Sequence, residues 1–397
     1  MIYLDYNATT PVDPRVLEAM MPYFTQVFGN AASKTHAYGR AADAAVARAR
    51  NQIAALLNVE QDDRLGARAI IFTSGATESN NLAIKGVVES HPDKGRHIIT
   101  QATEHKAVLD PCSRLAERGC EITILPVDSG GRVSPEQLAG AIRPDTILVS
   151  IMYANNETGT IQPTREIGRI CKERGIIFHT DATQAVGKIP VDVETDRIDL
   201  LSLSAHKIYG PKGVGALYVR KKNPRVRLTA LLDGGGHERG MRSGTLNVPG
   251  IVGLGQACEI AAKDMATDHQ RLAALRNRLQ SSLSEQISPI VVNGDQDHRL
   301  AHVANLAFPG VDGMSLLNAL EEIAVSSASA CSSASMEASH VLLAMGLSEE
   351  LAHSSLRFSL GRFTQPAEIE SVIDHFKKII PNLRAESASL NAICGSR

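Results

Sequence analysis

Three segments of this 397-residue chain end in residues whose types could do chemistry together. After the apolar run AIIFT (69–73) comes Ser74-Gly75-Ala76-Thr77-Glu78-Ser79-Asn80, a small-residue turn that opens a helix. Free backbone amides and the positive dipole end there suit a phosphate, to which the Thr77 hydroxyl could add a donor, although an ordinary helix cap has the same composition. After IIFHT (176–180) comes Asp181-Ala182-Thr183-Gln184. An acid at a strand end either binds a metal or pairs with a cationic ring nitrogen; no cluster at metal-ligand spacing accompanies it, which favours the ring and predicts no metal site. After DLLSLS (199–204) comes Ala205-His206-Lys207-Ile208-Tyr209-Gly210-Pro211-Lys212-Gly213. A lysine at the mouth of a buried sheet, close to other cations, is favoured as the neutral amine and can attack a carbonyl, whereas most lysines are solvated surface charges. Phosphate loop, acid and lysine follow three strands in that order. Together they match the needs of pyridoxal 5′-phosphate: a Schiff-base lysine, an acid on the pyridinium nitrogen and a phosphate cradle.

A fourth segment carries a thiol. Ser326 to Ser335 (SSASACSSAS) contains only Ser, Ala and Cys331, directly after the strand-like run Ile323-Ala324-Val325. With little apolar area to offset the entropy of ordering, such a tract is expected to be mobile. Alone it reads as a polar linker with an incidental cysteine.

The elements that must position these residues are legible as alternation. Short β-rich runs at 69–73, 97–100, 121–127, 146–152, 176–180, 199–204 and 215–220 are separated by helical patterns such as Ile167, Ile170 and Cys171, which predicts βαβ units and a mostly parallel, seven-stranded buried sheet. Ala42, Val46, Ala49, Ile53 and Leu57 mark one face of a long helix ending near Asn58. Helical segments at about 250–285, the run VANLAFP (303–309), a helix near 313–322, RFSLG (357–361) and a last helix from Pro366 to about Leu383 make a smaller α+β unit. The expected division is a large domain over 12–260 and a small one over 1–11 plus 261–397, the latter carrying the cysteine loop at about 326–340.

Composition bounds the reading. An apolar fraction of 43% and a charged fraction of 21% suit a soluble globular protein, and 41 basic against 43 acidic groups argue against a dedicated nucleic-acid or membrane surface. No run approaches the ~18 apolar residues that cross a bilayer, and the first residues do not read as a signal peptide. Six scattered cysteines without a CxxC pair indicate neither zinc nor disulfides, so a cytoplasmic location is expected.

The motifs TSGATESNN, EHKAVLD, YANNETGT, HTDATQAVGK, SAHKIYGPKG, GMRSGT, the Cys331 loop and RFSLGRF resemble those of the cysteine desulfurases of the NifS/IscS-like kind, over nearly the whole chain. The resemblance implies the aspartate aminotransferase-like α/β fold, fold type I of pyridoxal phosphate enzymes, working as a homodimer. It implies that Lys207 holds the cofactor, His105 stacks on its ring and moves protons, Asp181 pairs with the pyridine nitrogen, and Gln184 bonds the phenolic oxygen. Ala76, Thr77, Ser204 and His206 would hold the phosphate, and Thr245 would reach the phosphate of the neighbouring subunit. Asn156 and Arg357 would bind L-cysteine, with the Arg357 fork on its carboxylate; a structural ion pair is the competing role for that arginine. Cys331 would take the sulfur as a persulfide, release L-alanine and pass the sulfur to a protein acceptor, in iron-sulfur cluster assembly, tRNA thiolation, DNA phosphorothioation or nitrogenase maturation. A loop of small residues suits a thiol that must come in and leave again.

Two departures from the family pattern stand out. Ala328 and Ala338 replace a common Gly and Pro around the nucleophile, which alters loop freedom. The terminus ESASLNAICGSR lacks the longer tail that IscS-like members use toward a scaffold partner. An aminotransferase or selenocysteine lyase on the same fold is one rival reading, and a sulfur-relay protein that binds the cofactor weakly is another.

Overall fold

A computed structural model describes residues 1–59, 67–327 and 337–394. Thirteen strands are present among them: β1 (Ile2–Tyr3), β2 (Ile70–Thr73), β3 (His97–Gln101), β4 (Glu121–Leu125), β5 (Thr146–Ser150), β6 (Ile177–Asp181), β7 (Leu200–Ser204), β8 (Gly215–Val219), β9 (Val291–Asn293), β10 (Val303–Ala307), β11 (Ile323–Ala324), β12 (Ser326–Ser327) and β13 (Ser355–Ser359).

All seven runs read as β-rich pair in one sheet, in the order β2-β8-β7-β6-β5-β3-β4. Only β8 runs against its neighbours. The chain ends of the other six therefore share one edge, with Thr73, Gln101, Ser150, Asp181 and Ser204 among the residues that close them. Alternate side chains leave the sheet on opposite faces. Ile70, Phe72, Val149, Phe178 and Leu201 join a core with the Ala37–Leu56 helix, while Ile71, Ile98, Leu148, Leu200 and Leu217 join another with the helices Ala76–Ser90 and Lys106–Ala116. Both faces are covered, which is why these strands are continuously apolar. Edge strand β4 is the exception, with Ile124 exposed.

A second, four-stranded antiparallel sheet, β12-β13-β10-β9, builds a separate core with the Pro366–Cys394 helix through Leu306, Phe308, Phe358, Ile373 and Phe376. The two cores are bridged by one 39-residue helix, Val248–Gln286. Its first half buries Ile251, Leu254 and Cys258 in the large core, and its second half buries Leu272, Leu279 and Leu283 in the small one. Gly255 permits the crossing with the Ala37–Leu56 helix, since a Cβ there would lie 2.6 Å from the Ala49 Cα. Residues Ile2–Tyr3 pair in parallel with Ile323–Ala324, so the start of the chain is stitched to the second core.

Three element boundaries differ from the sequence reading. The helix expected at 313–322 stops at Asn318, and the last helix runs through Pro381 to Cys394. Ser326 and Ser327, read as the start of a mobile tract, form β12 against Leu356 and Arg357; the remaining tract, with Ala328 and Cys331, lies outside the described residues.

Candidate active site

The site grows from the shared edge of the large sheet. Gly215 starts β8 between the end of β7 and the turn after β2: a Cβ on it would sit 2.6 Å from the Leu203 carbonyl oxygen and 2.7 Å from the Gly75 Cα. Glycine there brings the Ser74–Thr77 turn beside Ser204, which is buried. The Ala76–Ser90 helix has Gly75 as its N-cap and no side-chain cap, so nothing on the cap competes with a ligand for its first amides. Glu78 braces the turn, accepting from the Ser74 amide at 2.8 Å and from Arg242 at 2.8 Å. That bond also fastens the GMRSGT segment, whose Thr245 is exposed. His206 meets the Thr9 hydroxyl at 3.1 Å. Burial, then the cations Lys207, Lys212 and Lys188, push its pKa down to about 4.

One step along the edge, Asp181 closes β6 with both carboxylate oxygens engaged. Oδ2 accepts from the Asn80 amide at 2.7 Å, and Oδ1 from the Thr183 backbone N–H at 3.0 Å. Lys207 Nζ donates to the carbonyls of Asn7 at 2.5 Å and Ala8 at 2.8 Å. The same Asn7 carbonyl accepts from Gln184 Nε2 at 3.1 Å, while Gln184 Oε1 accepts from Lys188 Nζ at 2.6 Å.

His105 caps the Lys106–Ala116 helix: its Nδ1 accepts from the Ala107 amide at 3.0 Å. A backbone N–H can only donate, so in the neutral ring the hydrogen sits on Nε2. His105 is exposed to solvent on one side, yet the chain packed around it desolvates the ring and lowers its pKa; Asp181 opposes this, and Lys207 and His340 add to it. Beneath it Glu104 is fully buried, accepting from the Met152 amide at 2.5 Å and from Gln101 at 3.1 Å. Burial drives its pKa well up.

Arg357, on β13 of the second sheet, faces this edge. Nη1 donates to the Asn156 carbonyl at 2.9 Å; Nη2 donates to Asp5 Oδ1 at 2.6 Å and to the Ser326 hydroxyl at 2.7 Å. Its Nε is buried and has no partner among the described residues. Asn156 is tied in again through its carbonyl, which accepts from Asn7 Nδ2 at 3.0 Å. Hence Lys207, Gln184, Asn156 and Arg357 are joined through Asn7, and Asp181 and His105 share the edge with them. Cys331 lies outside the described residues. Four other cysteines, Cys112, Cys120, Cys171 and Cys258, are buried. Burial pushes the Cys112 and Cys258 thiols up to about 12 and raises Cys120 and Cys171 as well, so none supplies a thiolate at neutral pH.

The class-V aminotransferase family model matches residues 2–372. A cysteine desulfurase IscS of Anaeromyxobacter dehalogenans is 55% identical over 386 residues, covering 97% of this chain and 94% of its own. The chain belongs to the class-V aminotransferases, among the cysteine desulfurases. A solved NifS-like protein shares the fold with a TM-score of 0.88 at 39% identity, over 96% of this chain and 100% of that one. SspA in complex with cysteine gives 0.80 at 38% identity, over 92% and 100%. The sheet expected from the sequence is thus the central sheet of a class-V aminotransferase fold.

Sequence reasoning missed several residues of this desulfurase site: Asn7, Asp5, Asn80, Glu104, Lys188 and His302. Asn7 is 1% exposed and uses every polar group, its amide donating to the Ser359 hydroxyl at 2.9 Å and its Oδ1 accepting from His302 at 2.9 Å. The Asn within YNATT reads locally as a turn residue, and the turn it occupies gives no local sign of these distant partners. Among the described residues there is no metal-binding cluster and no helix long and apolar enough to cross a membrane.

Proposed function

We propose that the protein is a pyridoxal phosphate-dependent cysteine desulfurase that converts L-cysteine to L-alanine and leaves the sulfur as a persulfide on Cys331, from which a protein acceptor takes it. The observation that carries the reading is the meeting, through Asn7, of Lys207 and Gln184 from the sheet edge with Arg357 from the second core. The residues fit the cofactor. An uncapped helix start beside Ser204 suits a phosphate, and Asp181 is a carboxylate whose position is fixed from both sides. Ala76, Thr77, Ser204 and His206 would hold the phosphate, Asp181 the ring nitrogen and Gln184 the phenolic oxygen. When bound, pyridoxal phosphate supplies an electron sink that loosens bonds to the substrate α-carbon.

The chain's own groups do the rest. Lys207 Nζ, held by the Asn7 and Ala8 carbonyls, would be the amine that holds the cofactor and would then take the substrate α-proton. His105, with its hydrogen on Nε2, would lie against the cofactor and return a proton from that atom. The Arg357 guanidinium, already fixed by Asp5 and Asn156, would hold the carboxylate of L-cysteine, and Asn156 would complete that contact. The Cys331 thiolate then bonds to the substrate sulfur as the carbon–sulfur bond breaks, and a proton from the site completes L-alanine. We assign residues 12–260 to a cofactor-binding domain and 1–11 with 261–397 to the smaller one. The working form is a cytoplasmic homodimer in which Thr245 reaches the other subunit's phosphate.

Cys331→Ala tests the assignment: cofactor uptake is retained while L-alanine release from L-cysteine is lost. Turnover that persists without the thiol would support an aminotransferase or lyase instead.

A further inference from the structure

Lys188 is a half-buried lysine to which the proposed mechanism assigns no step. It forms no ion pair among the described residues, and its one short contact is the 2.6 Å bond to Gln184 Oε1; Asn7 Oδ1 is 3.5 Å away. On its other side a cavity of about 30 Å³, lined by Lys188, His302, His269 and Asp268, has room for one water. Burial, then Lys207 and Arg357, push its pKa well below that of an ordinary lysine. A lysine so placed gains no ion pair among the described residues to offset its desolvation, so a positional role is the economical explanation.

The geometry of Gln184 supplies that role. A carboxamide can sit in two orientations that differ only in which end is oxygen. Here one end faces the Asn7 carbonyl, which only accepts, and the other faces the Lys188 nitrogen, which donates. Together they leave a single consistent arrangement, with Nε2 beside Asn7. Nε2 has two hydrogens, and the Asn7 carbonyl takes one. The second is left for a ligand.

We propose that Lys188 is a positioning residue: by donating to Gln184 Oε1, it secures the orientation that the Asn7 carbonyl selects, so that the amide presents an N–H, not a carbonyl, to the phenolic oxygen of the cofactor. Asn7, gripped by His302, is the fixed point on the opposite side. The inference rests on the reading of Gln184 as the phenolic-oxygen partner. It goes further by naming what makes that partner a donor.

The experiment compares wild type, Lys188→Met, Lys188→Arg, Gln184→Ala and the Lys188→Met/Gln184→Ala double variant, each loaded with pyridoxal phosphate and titrated by visible absorbance. Met keeps the bulk and removes a desolvated amine, so the thermal midpoint of the apoprotein should hold or rise. In Lys188→Met the phenolic oxygen loses part of its donor and holds the shared proton more tightly. The pH midpoint of the visible band moves up by about one unit, a roughly tenfold change in proton affinity. Gln184→Ala moves it in the same direction, the double variant adds nothing further, and Lys188→Arg, which keeps a donor, stays near wild type. A midpoint unchanged in Lys188→Met, or equal shifts with and without Gln184, overturns the inference. Wild type that takes up no pyridoxal phosphate, or a Gln184→Ala midpoint equal to wild type, overturns the underlying reading instead.

Discussion

Along the edge of the seven-stranded sheet, Asp181, Gln184 and Lys207 have their polar groups engaged by neighbours before any ligand arrives. Across the cleft, on the four-stranded sheet, Arg357 is anchored at Nη1 and Nη2 while Nε has no partner among the described residues. The first wall is held in place by bonds within the chain. The second is anchored through two guanidinium nitrogens and leaves the third unengaged by the described residues. Preorganisation on one side and spare capacity on the other is what a cofactor enzyme with a small anionic substrate needs.

The largest break in that contrast comes from the first wall. Lys207→Ala should abolish the visible band of the bound cofactor and lower turnover of L-cysteine by more than about 10³-fold, measured as L-alanine released. Next comes a control away from both walls. Arg50 and Glu238 form a bidentate buried pair at 2.7 and 2.8 Å that also caps the Phe72 amide, and it secures two consecutive left-handed residues, Glu238 and Arg239. Glu238→Gln should cost about 3–5 kcal/mol in a urea titration. Its KM for L-cysteine should stay at the wild-type value; a raised KM would tie that pair to the site. On the second wall, Arg357→Lys loses the fork and should cost about 2–3 kcal/mol, roughly 30- to 160-fold in kcat/KM and chiefly through KM, with the cofactor spectrum intact. A changed spectrum would show that the walls are not separable.

Smaller effects sharpen the picture. His179 is fully buried on β6 between the hydroxyls of Ser150 and Ser202, and burial lowers its pKa to about 4, against Asp181. The native ring stays neutral while the unfolded one takes a proton below 6.5, so stability is full above that pH and declines as pH falls toward about 4. The urea midpoint should follow that window, and His179→Gln should flatten it. Smallest of all, Arg242→Ala removes a partly exposed pair with Glu78. It should weaken pyridoxal phosphate binding by only a few-fold, within about 1 kcal/mol, by equilibrium titration.

Part of the first wall was legible in the sequence because Asp181 and Lys207 follow apolar runs, whereas the role of Gln184 came only with the family resemblance and Asn80 and Lys188 went unread. Asp181 after IIFHT and Lys207 after DLLSLS inherit their place from strands that burial dictates. The second wall was legible only through family resemblance, since nothing local says that Arg357 will meet Asp5, which lies 352 residues away. Asn7 and Lys188 were invisible for the same reason: a buried polar group gains its meaning from partners distant in sequence. Ser326–Ser327 escaped because a polar dipeptide shows no period, yet hydrogen bonds to β13 suffice to make it a strand. The last helix outran its expected end because the Ser/Ala-rich residues after Leu383 show no apolar period, yet stay helical to Cys394.

Asn7 has one more consequence, and it concerns time. Its amide bonds to Ser359, its carbonyl to Lys207 and its side chain to His302, so positions 200 and more residues apart must all exist before the pocket closes. During synthesis the large sheet can fold while the pocket still lacks its far side. Catalytic competence therefore arrives late, as a property of the finished chain, and a ribosome-bound intermediate carries a cofactor shelf that has no means yet of gripping a substrate.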